Sequence, residues 1–331
     1  MPSTNCQICL EPLGEGGDQF HEACCRKLFG ALHPPELPYT WEQLNQLAEK
    51  TVRQHVTVPG VQPKLSLHLE KGKHPRNSRF TLVGLEGEYI LKPPVAHFPQ
   101  MPELEHLTMR LAKCFGISTA ECGLIPLDGG PLAFITKRMD RDGKTKLHME
   151  DMCQLTDRLT EQKYRGSLEQ VGKAILRYCS NPIFDALRLF EVTLFCFLTG
   201  NSDMHLKNFS LLYRLGGVIA LSPAYDLLPT VLLLPEDVEE TALTLNGRKN
   251  RLTREDFTRF ATSMKLTPKQ IGNVYEHFSN SLSPALQLLE KGFCTPDTKG
   301  RFKTLFEERA ARIHLREDVK RHLTGNREVL K

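Results

Sequence analysis

Four polar residues of different chemistry stand close together in the run GNSDMHLKNFSLL: Asp203, His205, Lys207 and Asn208. They follow FDALRLFEVTLFCFL, the most apolar stretch of the chain, so their chemistry lies at the end of a buried element. Asp203 and Asn208 are five positions apart, and a second carboxylate, Asp226 in SPAYDLLP, comes eighteen positions after Asn208. The strand-like FSLLYRLGGVIAL lies between them, and a hairpin there brings two carboxylates and an amide to one mouth. Oxygen donors in this number suit Mg²⁺, which keeps water and substrate phosphates in its shell, and the remaining carboxylate can accept a hydroxyl proton. Phosphoryl transfer requires that division of labour.

The protein-kinase catalytic loop has the same order: an aspartate base, a metal-binding asparagine five residues on, then a metal-binding aspartate. The chain has neither a literal HRD nor a literal DFG. Kinase chemistry also needs an upstream lysine for the nucleotide phosphates. Lys92 ends the strand-like EYILK, and Glu105 follows thirteen positions later in a helical pattern, placed to form its ion pair. Earlier still, TVPGVQPKLSL bends at Pro59 and Gly60, so that backbone amides and Lys64 can face phosphates.

With these segments in order, the chain resembles the HipA-like serine/threonine kinases of bacterial toxin-antitoxin systems. VPGVQPKLSL, YILKPP, ELEHLTMRLAK, KRMDR, GNSDMHLKNFSLL and LSPAYDLLP carry the likeness, over roughly residues 57 to 230. It implies a bilobal kinase-like fold with Asp203 as general base, Asn208 and Asp226 holding Mg²⁺, and Lys92 on the ATP phosphates. It further implies adenine held by backbone groups of Lys137, Arg138 and Met139, with Tyr225 in the nucleotide site. Pro59, Gly60, Val61, Gln62, Pro63 and Lys64 would then cover the phosphates. His205 would support the loop or nucleotide, and Lys207 would neutralise the transferring phosphoryl group. Family members carry an autophosphorylated serine in the glycine-loop segment; here Thr57 is the acceptor on offer, because Pro59 has no hydroxyl.

The stretch before the loop is more like HipT, the kinase of a three-gene variant in which the N-terminal subdomain is a separate small protein. That likeness implies three kinds of partner: a small antitoxin or subdomain-like protein, a helix-turn-helix antitoxin through which alone DNA is reached, and a protein substrate. The substrate implied is an aminoacyl-tRNA synthetase, tryptophanyl-tRNA synthetase first.

The elements needed to position these groups can be read from periodicity. KLSLHLE alternates Leu65, Leu67 and Leu69 against Ser66, His68 and Glu70, which is strand spacing; RFTLVGL, EYILK and GPLAFITKRMDRDG add further strands. PELEHLTMRLAKCFG places Leu104, Leu107, Leu111 and Phe115 on one helical stripe and stops at Gly116. TWEQLNQLAEK reads as a helix capped by Thr40. After Asp142 the pattern is mainly helical, with capped starts at Thr253 and Thr267 and one hairpin, TALTLNGRKNRL, turning at Asn246 and Gly247. The basic segment ERAARIHLREDVKRHLTGNREVLK reads as a solvated helix and its frayed end. Strands first and helices after argue for an α+β chain of two lobes. The predicted divisions are a cysteine-rich segment over 1–38, an N-terminal lobe over 39–139 and a helical C-terminal lobe over 140–331.

At 331 residues and 40% apolar content the chain can bury a full core, and 43 basic against 39 acidic residues leave a net charge of +4. That is too small to make nucleic acid the main ligand. No leader or membrane span is evident, and a cytoplasmic location is expected. Of ten cysteines, six are scattered singly as at Cys196, whereas Cys6, Cys9, Cys24 and Cys25 crowd into the N-terminus with His21. Those five residues fit a structural zinc site that uses Cys24 or Cys25.

Two other functions use the same residues. A phosphohydrolase built on Asp203, His205 and Asp226 would need neither the loop at Gly60 nor Lys92. A nucleotide-binding pseudokinase would have lost one of Lys92, Asp203, Asn208 and Asp226, and all four are present.

Overall fold

The computed structural model describes residues 4–14, 19–54, 62–72, 78–84, 87–142 and 145–315. Thr57, Pro59, Gly60 and Val61 lie outside the described residues, as do the positions from 316 onward. The fold is an α+β kinase-like one, made of two compact units. The first comprises Met1–Arg110, Ala120–Met139 and Lys291–Cys294; the second comprises Leu111–Thr119, Asp140–Glu290 and Thr295–Lys331.

The first unit holds helices α1 (Glu22–Phe29) and α2 (Trp41–Gln54), strands β1 (Leu65–Glu70), β2 (Arg79–Val83) and β3 (Tyr89–Lys92), and most of helix α3 (Met101–Cys114). Strands β4 (Cys122–Pro126) and β5 (Leu132–Lys137) complete it. Its antiparallel sheet has the order β2-β1-β3-β5-β4. Leu65, Leu67 and Leu69 face the core and His68 faces solvent, as the alternation requires. Register puts Leu65 opposite Leu91, and Lys92 opposite Phe134. Gly87 permits this pairing, because a β-carbon there would lie 2.3 Å from the Leu67 carbonyl oxygen. Phe29, Phe80 and Tyr89 pack as a ring cluster beneath the sheet, and the Tyr89 hydroxyl donates to the Leu28 carbonyl. Thr40 caps α2 through reciprocal bonds with Gln43. The alternation in the sequence does not reveal β4. Its residues are buried on both faces, so no polar face marks the pleat.

The second unit contains the last turn of α3, strands β6 (Arg141–Asp142), β7 (Thr145–Lys146) and β8 (His148–Asp151), and helices α4 (Met152–Leu155), α5 (Leu168–Tyr178) and α6 (Pro182–Thr199). Strands β9 (Ser210–Tyr213) and β10 (Ile219–Leu221) follow, then helices α7 (Thr230–Leu233), α8 (Arg254–Ser263), α9 (Pro268–Glu290) and α10 (Pro296–Arg312). The apolar stretch before the polar run is α6, whose residues from Val192 to Thr199 are all buried. Phe115 packs against Phe195, Phe278 and Phe306 at centroid distances of 5.6, 4.8 and 6.0 Å, which ties α6, α9 and α10 together. Arg309 of α10 donates to the Phe197 carbonyl at 2.7 Å, which also accepts the Gly200 N–H at 3.2 Å, and so reinforces the end of α6.

The β9–β10 hairpin forms as its sequence predicts, with β8 added on its other edge. The expected hairpin at Asn246 and Gly247 reduces to a turn. Both residues have positive φ, 50° and 74°, as a two-residue hairpin turn demands, but only the Leu245–Arg248 bridge closes. The flanking backbone is used elsewhere: Leu168 donates to Thr244, and Thr244 donates to Gly166. Among the described residues no helix is long and apolar enough to cross a membrane.

Candidate active site

The candidate residues fall into one set in each unit. In the first, β3 ends at Lys92, whose ammonium lies 2.5 Å from Glu105 Oε1 on α3 and 5.4 Å from the centre of the Phe134 ring. Both side chains are almost fully buried. Removing two charges from water costs several kcal/mol per ion, and the pair offsets this only if held tightly. Gln62, also buried, donates to the Pro93 carbonyl at 3.4 Å, which anchors the last described part of the predicted phosphate loop beside the end of β3. Pro63 is partly buried and Lys64 is exposed.

Of the three predicted hinge residues, Lys137 donates its backbone N–H to Glu121 and Arg138 donates to Glu88, each at 2.8 Å. Both donors are therefore committed to the fold. Among the described residues, the Met139 N–H makes no such bond.

In the second unit, α6 ends at Gly200, whose φ of 73° is left-handed and whose absent β-carbon would come 2.6 Å from Leu305. Glycine meets both conditions without strain, and the chain leaves the helix sharply into Asn201. The loop then closes on itself. Asp203 N–H donates to Asn201 Oδ1 at 3.2 Å, His205 N–H donates to the Asp203 carbonyl at 2.8 Å, and Asn208 Nδ2 donates to the same carbonyl at 3.0 Å. Committing Nδ2 in this way leaves the Asn208 amide oxygen as the atom that can ligate a cation. Asn201 Nδ2 reaches the Asp226 carbonyl at 3.4 Å and ties the second carboxylate's backbone to the same loop. Asp226 itself has φ 58°, an uncommon conformation for a residue with a side chain and one that collects at functional sites.

His205 is buried, and burial holds its pKa below the ordinary value, against the opposing charges of Asp203 and Asp226. The neutral imidazole thus lies within electrostatic reach of both carboxylates. Tyr225 fixes the loop from behind: its hydroxyl donates to the Lys207 carbonyl at 2.8 Å and accepts from Ser210 at 2.6 Å. The SPAYD segment is braced in turn by Arg188 of α6, which donates to the carbonyls of Leu221 and Ser222.

Two partners of this loop are not evident from the sequence. Tyr164 donates its hydroxyl to Asp203 Oδ1 at 2.8 Å, and its ring meets His205 edge-on at 5.1 Å. Asp151 pairs with Lys207 at 2.8 Å while its other oxygen caps α4. They stand 39 and 56 positions before the groups they touch, and no local pattern reports contacts at that separation.

The model of the HipA-like C-terminal domain matches residues 56–286, well over half of the chain. The chain belongs to the HipA-like C-terminal domain family. Among curated relatives it is 30% identical over 259 residues to a protein of Haemophilus influenzae named as a putative kinase, covering 72% of each chain. It is also 30% identical over 192 residues to the serine/threonine-protein kinase toxin HipA of Shewanella oneidensis, covering 52% of this chain and 42% of the toxin. The structure of that Shewanella HipA in complex with HipB and operator DNA superposes with a TM-score of 0.64 at 21% identity, over 80% of this chain and 70% of that one. The Helicobacter pylori proinflammatory kinase CtkA superposes with a TM-score of 0.52 at 16% identity, over 75% and 93% of the respective chains. The described parts of every family segment named from the sequence fall inside the matched range.

Proposed function

We propose that this chain is an ATP-dependent serine/threonine protein kinase acting as the toxin of a bacterial toxin-antitoxin system. The observation that carries this reading is the buried Lys92–Glu105 pair, which costs desolvation energy and gains little stability over an apolar pair, so a functional need for a fixed ammonium explains it best. The relatives named as kinases and the self-bonded Asp203–Asn208 loop support the same reading.

In this reading Lys92 orients the ATP phosphates, and the oxygens of Asn208 and Asp226 hold Mg²⁺, whose charge offsets that developing on the phosphates. The donor set fits: a carboxylate and an amide oxygen are hard ligands of the kind Mg²⁺ takes. Asp203 accepts the proton of a serine or threonine hydroxyl as that oxygen bonds to the γ-phosphorus and the bond to the ADP oxygen breaks. His205 stays neutral and supports the loop. Lys207 exchanges Asp151 for the transferring phosphoryl group. Pro59, Gly60, Val61, Gln62, Pro63 and Lys64 cover the phosphates, the backbone of Lys137, Arg138 and Met139 receives adenine, Tyr225 borders the nucleotide, and Thr57 is the site of self-modification.

The substrate we assign is an aminoacyl-tRNA synthetase, tryptophanyl-tRNA synthetase first. A small subdomain-like protein and a helix-turn-helix antitoxin are the assigned partners, with DNA reached through the latter, as the Shewanella complex with HipB and DNA suggests by analogy. The test is incubation with labelled ATP and Mg²⁺ in bacterial lysate. Label should pass to one dominant protein, and Asp203→Ala and Asp226→Ala should both abolish transfer. Full-rate transfer in both variants would refute these roles.

A further inference from the structure

The N-terminal cysteine cluster takes no part in the kinase reading, yet its geometry is that of a built site. Cys6, Cys9, His21 and Cys24 bring one ligand atom each within 4.8 Å of all the others. Cys9 Sγ lies 3.3 Å, and Cys24 Sγ 3.9 Å, from His21 Nδ1. Zinc–sulfur bonds of about 2.3 Å and zinc–nitrogen bonds of about 2.0 Å span a tetrahedron with edges of roughly 3.5–3.8 Å, so these separations need little adjustment.

The surroundings prepare the ligands. His21 Nε2 lies 3.0 Å from the Pro12 carbonyl, an acceptor only, so Nε2 carries the ring proton and Nδ1 presents its lone pair to the cluster. This is the outer hydrogen bond that orients metal-bound imidazoles. The His21 N–H also points at Cys6 Sγ, 3.4 Å away. The chain turns tightly after the CQIC pair, with Leu10 at φ 67° and its N–H donating to the Cys6 carbonyl. Cys25 is 1% exposed within the apolar core of the first unit, whereas the partly buried Cys24 joins the cluster. The choice that the sequence leaves open therefore falls on Cys24.

We propose that Cys6, Cys9, His21 Nδ1 and Cys24 bind one Zn²⁺ in a closed, structural site. On binding, the three thiols lose their protons to solvent and become thiolate ligands. Four protein donors leave no open coordination position, which separates this site from catalytic zinc. Its mechanical consequence follows from two bonds of the CQIC loop. The Gln7 carbonyl accepts from the Leu124 N–H of β4 at 2.8 Å, and the Ile8 carbonyl accepts from His106 Nε2 at 3.0 Å. His106 is the residue after Glu105 on α3, so the zinc loop clamps the helix that carries the lysine's partner.

The test is independent of phosphotransfer, because it reads metal content and stability. Full-length protein is expressed with zinc in the medium, purified without chelator and assayed by elemental mass spectrometry. We expect about one zinc per chain, loss of that zinc in Cys9→Ser and Cys24→Ser, its retention in Cys25→Ser, and its retention in His21→Cys, which keeps four soft ligands. Replacement by Co²⁺ should give the visible absorption of a tetrahedral thiolate site. Stripping the metal should lower Tm and speed hydrogen exchange over residues 4–14 and 122–126, both reversed by added Zn²⁺. Wild-type protein without zinc whose Tm does not respond to Zn²⁺ would overturn the proposal. So would a Cys6–Cys9 disulfide in freshly isolated protein, or zinc lost from Cys25→Ser but kept by Cys24→Ser.

Discussion

Lys92–Glu105 and Lys207–Asp151 are ammonium–carboxylate pairs of similar length, 2.5 and 2.8 Å, in opposite surroundings. The side chains of the first are 5% and 1% exposed, and those of the second 36% and 14%. Burial strengthens the Coulomb attraction of the first, so its partners cannot separate without stranding a buried charge. Water and salt screen the second, and separation costs little. The same chemistry therefore gives a fixed ammonium on β3 and an exchangeable one on the loop after α6. The proposed phosphoryl transfer would use this asymmetry, with one lysine preset for the resting nucleotide and another able to follow the moving phosphoryl group.

The largest expected effect comes from breaking the buried pair. Lys92→Met should lower unfolding free energy by about 3–5 kcal/mol in urea titrations, because Glu105 is left buried without its cation. Adding Glu105→Leu should restore much of that stability and none of the phosphotransfer. Recovery of both would mean that the pair is only structural.

Glu103, one turn-half before Glu105 on α3, provides an internal contrast. Its Oε2 is buried without a hydrogen-bond partner among the described residues, and burial raises its pKa from 4.5 to about 7. The folded value lies above the unfolded one, so the stability linked to this proton is full below about pH 4.5, declines as pH rises, and is lost above about pH 7. The shift corresponds to about 3 kcal/mol. Urea titrations from pH 4 to pH 8 should show that decline, and Glu103→Gln should flatten it.

A smaller effect is expected at Tyr164. Removing its hydroxyl in Tyr164→Phe should cost about 1 kcal/mol or less, since the group is half exposed, while freeing Asp203 Oδ1. The pH dependence of phosphotransfer should therefore move while Tm barely changes. Least of all, Asp151→Asn should change stability by under about 1 kcal/mol. If it instead destabilises as much as Lys92→Met does, the contrast between the two lysines fails.

How much of this could be read in advance differs by element. The leucine alternation in β1 and the stripe on α3 are local periodicities, and each forms where its period says. Lys92 and Glu105 were legible because a strand end and the following helix lie close in sequence. β8 is four residues with no apolar face and exists because β9 offers it a ladder edge. The turn at Asn246 adopts the dihedrals its residues favour, yet its arms bond elsewhere, because neighbouring chain competes for the same N–H groups.

Spacing and side-chain type over a few turns were enough to read the order of the candidate catalytic groups, the buried helix before them and the glycine that ends it. It took the folded chain to bring Tyr164 to Asp203, Asp151 to Lys207, and Cys24 rather than Cys25 to the other sulfurs. Those outcomes depend on which buried surfaces pack together, and burial sets both the partners and the strength of every charge involved.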